Sequence, residues 1–486
     1  MLNKFTVGLA LIALAYYFGQ RSSNSNLAEK SNVDASTLLI GWEEQIRQPA
    51  RKMKRVAIGL NVCADLIVKA TDLLKVMNVE PGKPLEHNVF TSLESLQQTF
   101  YYFFEKGAAV ERFFSNAKLY QKIIEYTDTL KEKTYYIGGN AALMAQKMTD
   151  SDSDIKILFI GPVGPKVNAM FNKNIAVAKQ CLRERDEVHL IMEYAKGDKW
   201  GDAVAPVATR LITSNDYANS RLDFLEELAA NAKDFKPDLI ALSGLQGLGD
   251  LTPEVKEKRI VEVLHQLGML PQGVPVHLEL ASMADDATVR QLATQVFPVV
   301  HSIGLNEQEL TYISKTNNGP HPDLEAVNGY AEIGAIADIL YWMLTSLREG
   351  QRSRTPNLSR VHFHSLTFHI IATRVGTWEN SASAAGAGAR VGGLQACNFT
   401  TVIDPSKAEL RIPRAFSRSV NFAPLRREAL ILDPTQPISV WRRGDVEFNF
   451  SPVLVCKKPL VTVGLGDAIS ATGLLYSQYL AKEMPW

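Results

Sequence analysis

Residues 460–480 read LVTVGLGDAISATGLLYSQYL, and the change of pattern inside that stretch governs how the rest of the chain is read. Leu460, Val461, Thr462 and Val463 are strand formers, Gly464 and Gly466 interrupt the run, and from Ala468 apolar residues return at helical spacing. The stretch therefore predicts a strand, a tight glycine turn and a helix. A helix that opens on small residues leaves backbone N–H groups unpaired at the positive end of its dipole, which is an anion site. Asp467 stands at the mouth of that turn. A bound phosphate repels a carboxylate there, but a hydroxyl attacking that phosphate must lose a proton, and the same carboxylate is placed to accept it. Gly464, Leu465 and Gly466 thus read as a phosphate-binding turn and Asp467 as the catalytic base of a sugar kinase. The competing reading is an ordinary strand-to-helix loop with Asp467 as a cap.

The bulk numbers limit what surrounds this turn. With 486 residues, 46% hydrophobic and 21% charged, the chain can bury one large α/β core with an appended subdomain, or two domains. Lys plus Arg and Asp plus Glu both number 52, so no global field favours nucleic acid or an acidic membrane, and phosphate must be recognised locally. Residues 5–18, FTVGLALIALAYYF, follow Lys4 and precede a polar run, GQRSSNSNLAEKSN. The apolar run is short for a spanning helix, so residues 1–20 read as a signal peptide or a membrane anchor, with residues 21–50 as a polar tether. Either reading sends the body, residues 51–486, into the secretory pathway. Cys63, Cys181, Cys397 and Cys456 lack metal-ligand spacing. Four cysteines allow three full pairings, and Cys397 with Cys456 is one candidate bridge among them. N-x-S/T sequons occur at Asn357, Asn398 and Asn449, with Asn398 falling where a buried strand is expected.

Taken in order, RVAIGLNV (residues 55–62) predicts a first strand that ends on Asn61, with Asp65 just beyond; polar residues where a sheet opens can hold sugar hydroxyls. Residues 86–130 read as mostly helical, with Leu93, Leu96, Phe100, Phe103 and Phe104 on one stripe and a second run from Val110 through Ile124. Between them GAAVER, residues 107–112, would let a ligand approach the Glu111 carboxylate. Tyr135, Tyr136 and Ile137 lead into Gly138, Gly139 and Asn140, another glycine turn that opens a helix. The GPVGPK turn at 161–166 is no phosphate loop, because its spacing is wrong and its prolines remove backbone donors. The later runs HLIMEY, RLITSND, LIALSGLQ, PVHLEL, VHSIGLN and HFHSLTFH predict strands, most alternating with helical stretches such as 223–233 and 253–267. That rhythm argues an α/β fold with a mostly parallel sheet covered on both faces.

Two of these strands end in acids, Glu279 in PVHLEL and Glu309 in NEQE. Carboxylates at the mouths of neighbouring parallel strands can converge on one magnesium through its waters; capping acids are the alternative. His362 and His364 share a strand face, but no suitable third metal ligand lies near in sequence, so buried strand histidines are favoured. The small residues before Arg390 in SASAAGAGARVGGLQAC, residues 381–397, suit close helix packing or a loop lying against a nucleotide.

Together GLNVCADLI, GAAVER, YYIGGNAALMAQK, PDLIALSGLQ, PVHLELASM, SIGLNEQEL, HFHSL, AAGARVGGLQAC and VGLGDAIS, in this order from Arg51 to the C-terminus, resemble the ADP-dependent glucokinase family in its animal, endoplasmic-reticulum form. The resemblance implies a ribokinase-like fold: a large α/β/α domain, a smaller discontinuous lid, and an active site in the cleft between them. It implies transfer of the β-phosphoryl of ADP to the 6-hydroxyl of glucose with magnesium, by a monomer in the endoplasmic reticulum lumen. Carried onto this chain, it makes Asp467 the base and Gly464 to Gly466 the anion hole, and associates Glu279, Glu309 and Asp467 with magnesium. Asn61, Asp65, Gly139 and Asn140 fall on sugar-side motifs, and Glu111 on the acid that accepts a glucose hydroxyl. Arg210 and Arg390 fall on the nucleotide side. Arg374, Val375 and Gly376 depart from the family pattern in what the resemblance makes a nucleotide-side loop. Two enzymes on the same fold compete with this reading, an ADP-dependent phosphofructokinase and an ATP-using sugar kinase; a phosphorylated sugar would call for cations in place of Glu111. A non-catalytic sugar or nucleotide sensor is the alternative from another class.

Overall fold

The computed structural model describes residues 35–283, 285–324, 332–347, 358–461 and 463–481. Its largest element is a ten-stranded sheet in the spatial order Ser439–Arg443, Val446–Pro452, Phe368–Arg374, Arg360–His364, Ser302–Leu305, Val276–Glu279, Leu239–Ser243, Arg55–Leu60, Lys156–Ile160 and Ile175–Val177. The six strand pairs from Arg360–His364 to Ile175–Val177 are parallel, and the three at the other edge are antiparallel. LIALS is buried at every position, as a strand covered on both faces must be. Helices such as Asn140–Ser151 and Pro253–Met269 separate the strands in sequence. This is the α/β architecture with a mostly parallel sheet that the strand and helix rhythm predicts.

A second sheet of six strands, in the order Val89–Phe90, Val110–Phe114, Thr209–Ser214, Val188–Tyr194, Cys63–Lys69 and Lys133–Gly138, is built by two excursions of the chain from the large sheet. The first leaves after Leu60 and returns at Gly139. Its crossing point is clamped by Asn219, whose Oδ1 accepts from the Val62 N–H at 3.0 Å and whose Nδ2 donates to the Val62 carbonyl at 2.8 Å. One face of the small sheet packs Leu66, Leu190, Met192 and Leu211 against Phe100 and Phe104 of the helix Leu93–Lys106. Strand alternation therefore turns Asp65, His189, Glu111 and Arg210 to the opposite face, and the register sets Asp65 beside His189.

Several expectations change. Leu460, Val461 and Val463 are not in a strand: Leu460 and Val463 are exposed in a loop held by Leu460 N–H to the Ala396 carbonyl, and Thr462 lies outside the described residues. They pair with no strand among the described residues. The region 86–130 is mostly helical, as Leu93–Lys106 and Ala117–Thr127, but its second helical run does not begin at Val110. Gly107, at φ +62°, ends the first helix, and Val110–Phe114 is a strand that puts Glu111 on the small sheet. HFHSLTFH is a hairpin, Arg360–His364 returning as Phe368–Arg374. The tether ends earlier than expected, because Ala35–Gln45 is a helix that buries Leu38 and Trp42 and bonds Trp42 Nε1 to Ser451 Oγ at 3.0 Å. The signal or anchor at residues 1–20 and the sequon at Asn357 lie outside the described residues. Cys397 and Cys456 form a disulfide, and Cys63 and Cys181 are buried thiols. Asn398 sits in an exposed turn instead of a buried strand, whereas Asn449 is buried with Nδ2 on the Ile371 carbonyl.

The two faces of the large sheet differ in chemistry. Leu278, Ile303, Leu305, Val361 and Phe363 fill the apolar core on one face. On the other, register pairs His277 with Ser302 and Ser302 with Arg360, then Glu279 with Gly304 and Gly304 with His362. The helices Ser381–Ala396 and Leu465–Tyr476 cover this polar layer, and their glycines permit the approach: a Cβ at Gly473 would stand 2.7 Å from His362 Cε1. Residues 381–397 therefore serve helix packing, and the histidines are buried strand residues.

Burial pushes His277, His362 and His369 below the usual histidine range, and it takes His301 down to about 4. His301 Nδ1 accepts the Val276 N–H at 3.1 Å, a bond that a protonated ring cannot make. These rings fold neutral, so the unfolded chain binds more protons below pH 6.5 and stability falls as pH drops from about 6.5 towards 4. Urea midpoints measured across that range should decline, and His301→Asn, which keeps an acceptor, should flatten part of the decline. A midpoint that holds constant to pH 5 would contradict this.

Candidate active site

The small sheet joins the large one at the carboxyl ends of the central parallel strands, the position at which open α/β sheets bind ligands. The helix Leu465–Tyr476 starts there. Its first turn follows Gly464, at φ +67°, and carries no side-chain cap, so its N–H groups are left for a ligand. Asp467 lies in that turn, 5% exposed. Its Oδ1 accepts from Asn140 Nδ2 at 2.9 Å; Asn140 Oδ1 accepts from Asn61 Nδ2 at 3.2 Å; and Asn61 Oδ1 accepts the Ala141 N–H at 3.0 Å. Gly139 makes this contact possible, because a Cβ there would stand 2.7 Å from Val62 Cα and its φ of +85° suits glycine. Three separate predicted segments, the ends of RVAIGLNV and YYIGGN and the GLGD turn, therefore meet through side-chain amides. Burial, then the charge of Glu279, raises the Asp467 carboxyl to about 7 against the opposing Asn140 bond.

Glu279, 2% exposed, accepts a hydrogen bond on each of its oxygens. His277 Nε2 donates to Oε2 at 3.0 Å and His364 Nε2 donates to Oε1 at 3.3 Å. His277 is set in that tautomer by Ser302 Oγ at 2.9 Å from its Nδ1, and Ser302 in turn accepts from Arg360 Nη1 at 2.8 Å. Burial opposes charge on Glu279, yet these bonds outweigh it and hold its carboxyl at about 2. Glu309 caps its own helix, accepting the Asn306 N–H at 2.8 Å and Asn306 Nδ2 at 3.0 Å, and burial raises it to about 7. The capping role and the position beside the strand end thus coincide in one residue. Among the described residues Glu279, Glu309 and Asp467 do not gather their oxygens within 4.8 Å of one another. Both Glu279 oxygens are taken by histidines, so these hard oxygen donors suit magnesium only through its own waters and phosphate oxygens, not as a closed cage.

The inner face of the small sheet supplies the opposite wall. Asp65 and Arg210 are half-buried there, and Glu111 is exposed. Desolvation by the surrounding protein raises the Glu111 and Asp65 carboxyls, opposed by His189 and Arg210. His189 was missed in the sequence: its Nε2 meets Asp216 Oδ2 at 2.9 Å. Burial works against charge on His189, but Cys63 beside it and the pairing with Asp216 together outweigh it and keep the ring above the usual histidine range. Only the register with Asp65 reveals this residue, since Asp216 lies 27 positions away. Arg210 stands close enough to Asp65 and Glu111 to lower both, on the same face of the small sheet. Arg390 is half-buried on the helix Ser381–Ala396. Arg374 to Gly376 lie at the opposite end of the sheet from His364. The strand carrying Arg374 runs antiparallel, away from His364, and Arg374 Nη1 pairs with Asp445 at 2.5 Å at the far edge.

Comparison with known proteins agrees with this architecture. The conserved region of ADP-specific phosphofructokinases and glucokinases matches residues 54–476. The chain is 43% identical over 442 residues to ADP-dependent glucokinase of Bos taurus, covering 91% of this chain and 88% of the relative. It is 33% identical over 478 residues to a probable ADP-dependent glucokinase of Caenorhabditis elegans, covering 97% and 93%. A hypothetical ADP-dependent phosphofructokinase from Pyrococcus horikoshii OT3, of known structure, superposes with a TM-score of 0.65 at 18% identity over 88% of this chain and 98% of that one, which shows a shared fold.

Proposed function

Because the chain belongs to the ADP-specific phosphofructokinase/glucokinase family and is a phosphotransferase, we propose that it moves the β-phosphoryl group of ADP to the 6-hydroxyl of D-glucose, releasing AMP and glucose 6-phosphate. The observation that carries the reading is the amide chain from Asn61 through Asn140 to Asp467, which ties a sugar-side segment to the anion-binding turn. Asp467 aligns the 6-hydroxyl and takes its proton as the bond to phosphorus forms. The N–H groups of Leu465 to Asp467 stabilise charge on the moving group, a kind of contact worth about 3 kcal/mol per donor. Magnesium, when bound, neutralises charge on the phosphate oxygens, and Glu279 and Glu309 would hold it through water. The small sheet closes over the large one to exclude water, which competes with the sugar as acceptor. The Cys397–Cys456 bridge supports an oxidising compartment, in keeping with passage of a monomer into the endoplasmic reticulum lumen, whether cleaved or anchored.

Glu111 and Asp65 favour glucose over a phosphorylated sugar, because two carboxylates on that wall repel a second phosphate. AMP release measured with glucose or fructose 6-phosphate, and with ADP or ATP, tests this. The pair expected to react is glucose with ADP. Glu111→Ala should raise the KM for glucose roughly 10-fold or more, as loss of a hydrogen bond to a charged group does, with a smaller effect on kcat. AMP formed from fructose 6-phosphate in preference to glucose would overturn the choice of sugar.

A further inference from the structure

The donor atoms of Cys63, Asp65 and His189 all lie within 4.8 Å of one another, the only such group among the described residues. We propose that these three side chains form a binding site for a thiophilic divalent cation of the zinc type, and that this ion and the sugar exclude one another. The second half rests on the proposed sugar site, since Asp65 belongs to both.

The donor set makes the choice of ion. A sulfur, an imidazole nitrogen and a carboxylate oxygen suit zinc, whereas magnesium and calcium take oxygens. The spacing also fits. Cys63 and Asp65 lie two apart on one strand with Sγ 3.5 Å from Oδ1, and zinc bonds of about 2.0–2.3 Å set tetrahedral ligands roughly 3.3–3.7 Å apart. His189 is the register partner of Asp65 on the adjoining strand. Asp216 already occupies His189 Nε2, leaving Nδ1 for the ion; a carboxylate behind an imidazole is the usual support of a ligating histidine. Gly138 lets the two side chains converge, for a Cβ there would stand 2.3 Å from Asp65 Oδ1 and 2.6 Å from Cys63 Sγ. Three protein ligands leave a fourth position for water.

Binding replaces the Cys63 S–H bond with a sulfur–metal bond and the His189 Nδ1–H bond with a nitrogen–metal bond, and releases both protons to solvent, with no change of oxidation state. Affinity should therefore rise with pH, because the metal displaces protons from its ligands. With Asp65 committed to the ion, a sugar hydroxyl loses its acceptor.

Zinc chloride titrated into the full chain, without sugar or nucleotide and against a chromophoric chelator, should show one site per chain, and glucose should weaken it. Cobalt in place of zinc should give a thiolate charge-transfer band that reports Cys63 in the unmutated protein. Cys63→Ser should lose that band and weaken zinc binding at least 10-fold while phosphorylating glucose normally without zinc; Cys181→Ser should change neither. No stoichiometric zinc binding, or binding indifferent to Cys63→Ser together with no cobalt–thiolate band, would overturn the site. Zinc bound through Cys63 but unaffected by glucose would overturn the exclusion. Because the binding arm uses no substrate, a chain that binds zinc without phosphorylating glucose would refute the proposed function and leave the metal site standing.

Discussion

Asp467→Asn is expected to lower kcat by roughly two to four orders of magnitude, the range a positioned general base contributes, while glucose binding stays within a few-fold of the parent. The substitution is nearly isosteric, and its Oδ1 can still accept from Asn140, so the amide chain to Asn61 survives. What is lost is the capacity to take a proton. The same group sets a pH dependence. With the Asp467 carboxyl raised to about 7 by burial and by Glu279, the ionised base is depleted in acid, so turnover should fall as pH drops through that region. Steady-state kinetics from pH 6 to 8, with glucose affinity by calorimetry, check both parts. Activity within a few-fold of the parent would remove Asp467 from the role.

Glu279→Ala should have the largest effect on stability. Glu279 is buried between His277 and His364, and His364 is held above the usual histidine range, its burial outweighed by its bond to Glu279 and by that residue's charge. Removing the carboxylate leaves a buried cation without its partner, and His277, Ser302 and Arg360 lose the acceptor at the end of their chain. Breaking a buried pair in this way costs about 3–5 kcal/mol. Urea unfolding at pH 7 should show that loss, and Glu279→Gln, which still offers one acceptor, should lose less. The magnesium concentration needed for half-maximal activity should rise in both variants. A change in stability below about 1 kcal/mol would contradict the role assigned to the pair.

The parts of this site legible in the sequence are those where backbone geometry dictates the residue. Gly139 and Gly464 take left-handed φ values at helix starts, so their glycines announced the turns that bring Asn140 and Asp467 together. The alternation in HFHSLTFH announced a shared face for His362 and His364, and the structure places both beneath the helix Leu465–Tyr476. Other features depended on partners distant in sequence. Leu460, Val461 and Val463 have strand propensity but pair with no strand among the described residues, and Val110–Phe114 is a strand because Thr209–Ser214 lies beside it. His189 gave no local signal, since its meaning comes from Asp65 across the sheet and Asp216 beyond the next strand. The small-residue run before Arg390 was ambiguous until the C-terminal helix was seen packed against it.

The central claim is that Asp467 faces the acceptor hydroxyl while the turn from Gly464 to Gly466 holds the terminal phosphate. A crystal structure with glucose and a non-hydrolysable ADP analogue tests it most directly. The account predicts the glucose 6-hydroxyl within about 2.6–3.2 Å of the Asp467 carboxylate, with the β-phosphate on the N–H groups of the helix's first turn. Glucose bound with its 6-hydroxyl away from Asp467, or the nucleotide phosphates seated elsewhere, would contradict it.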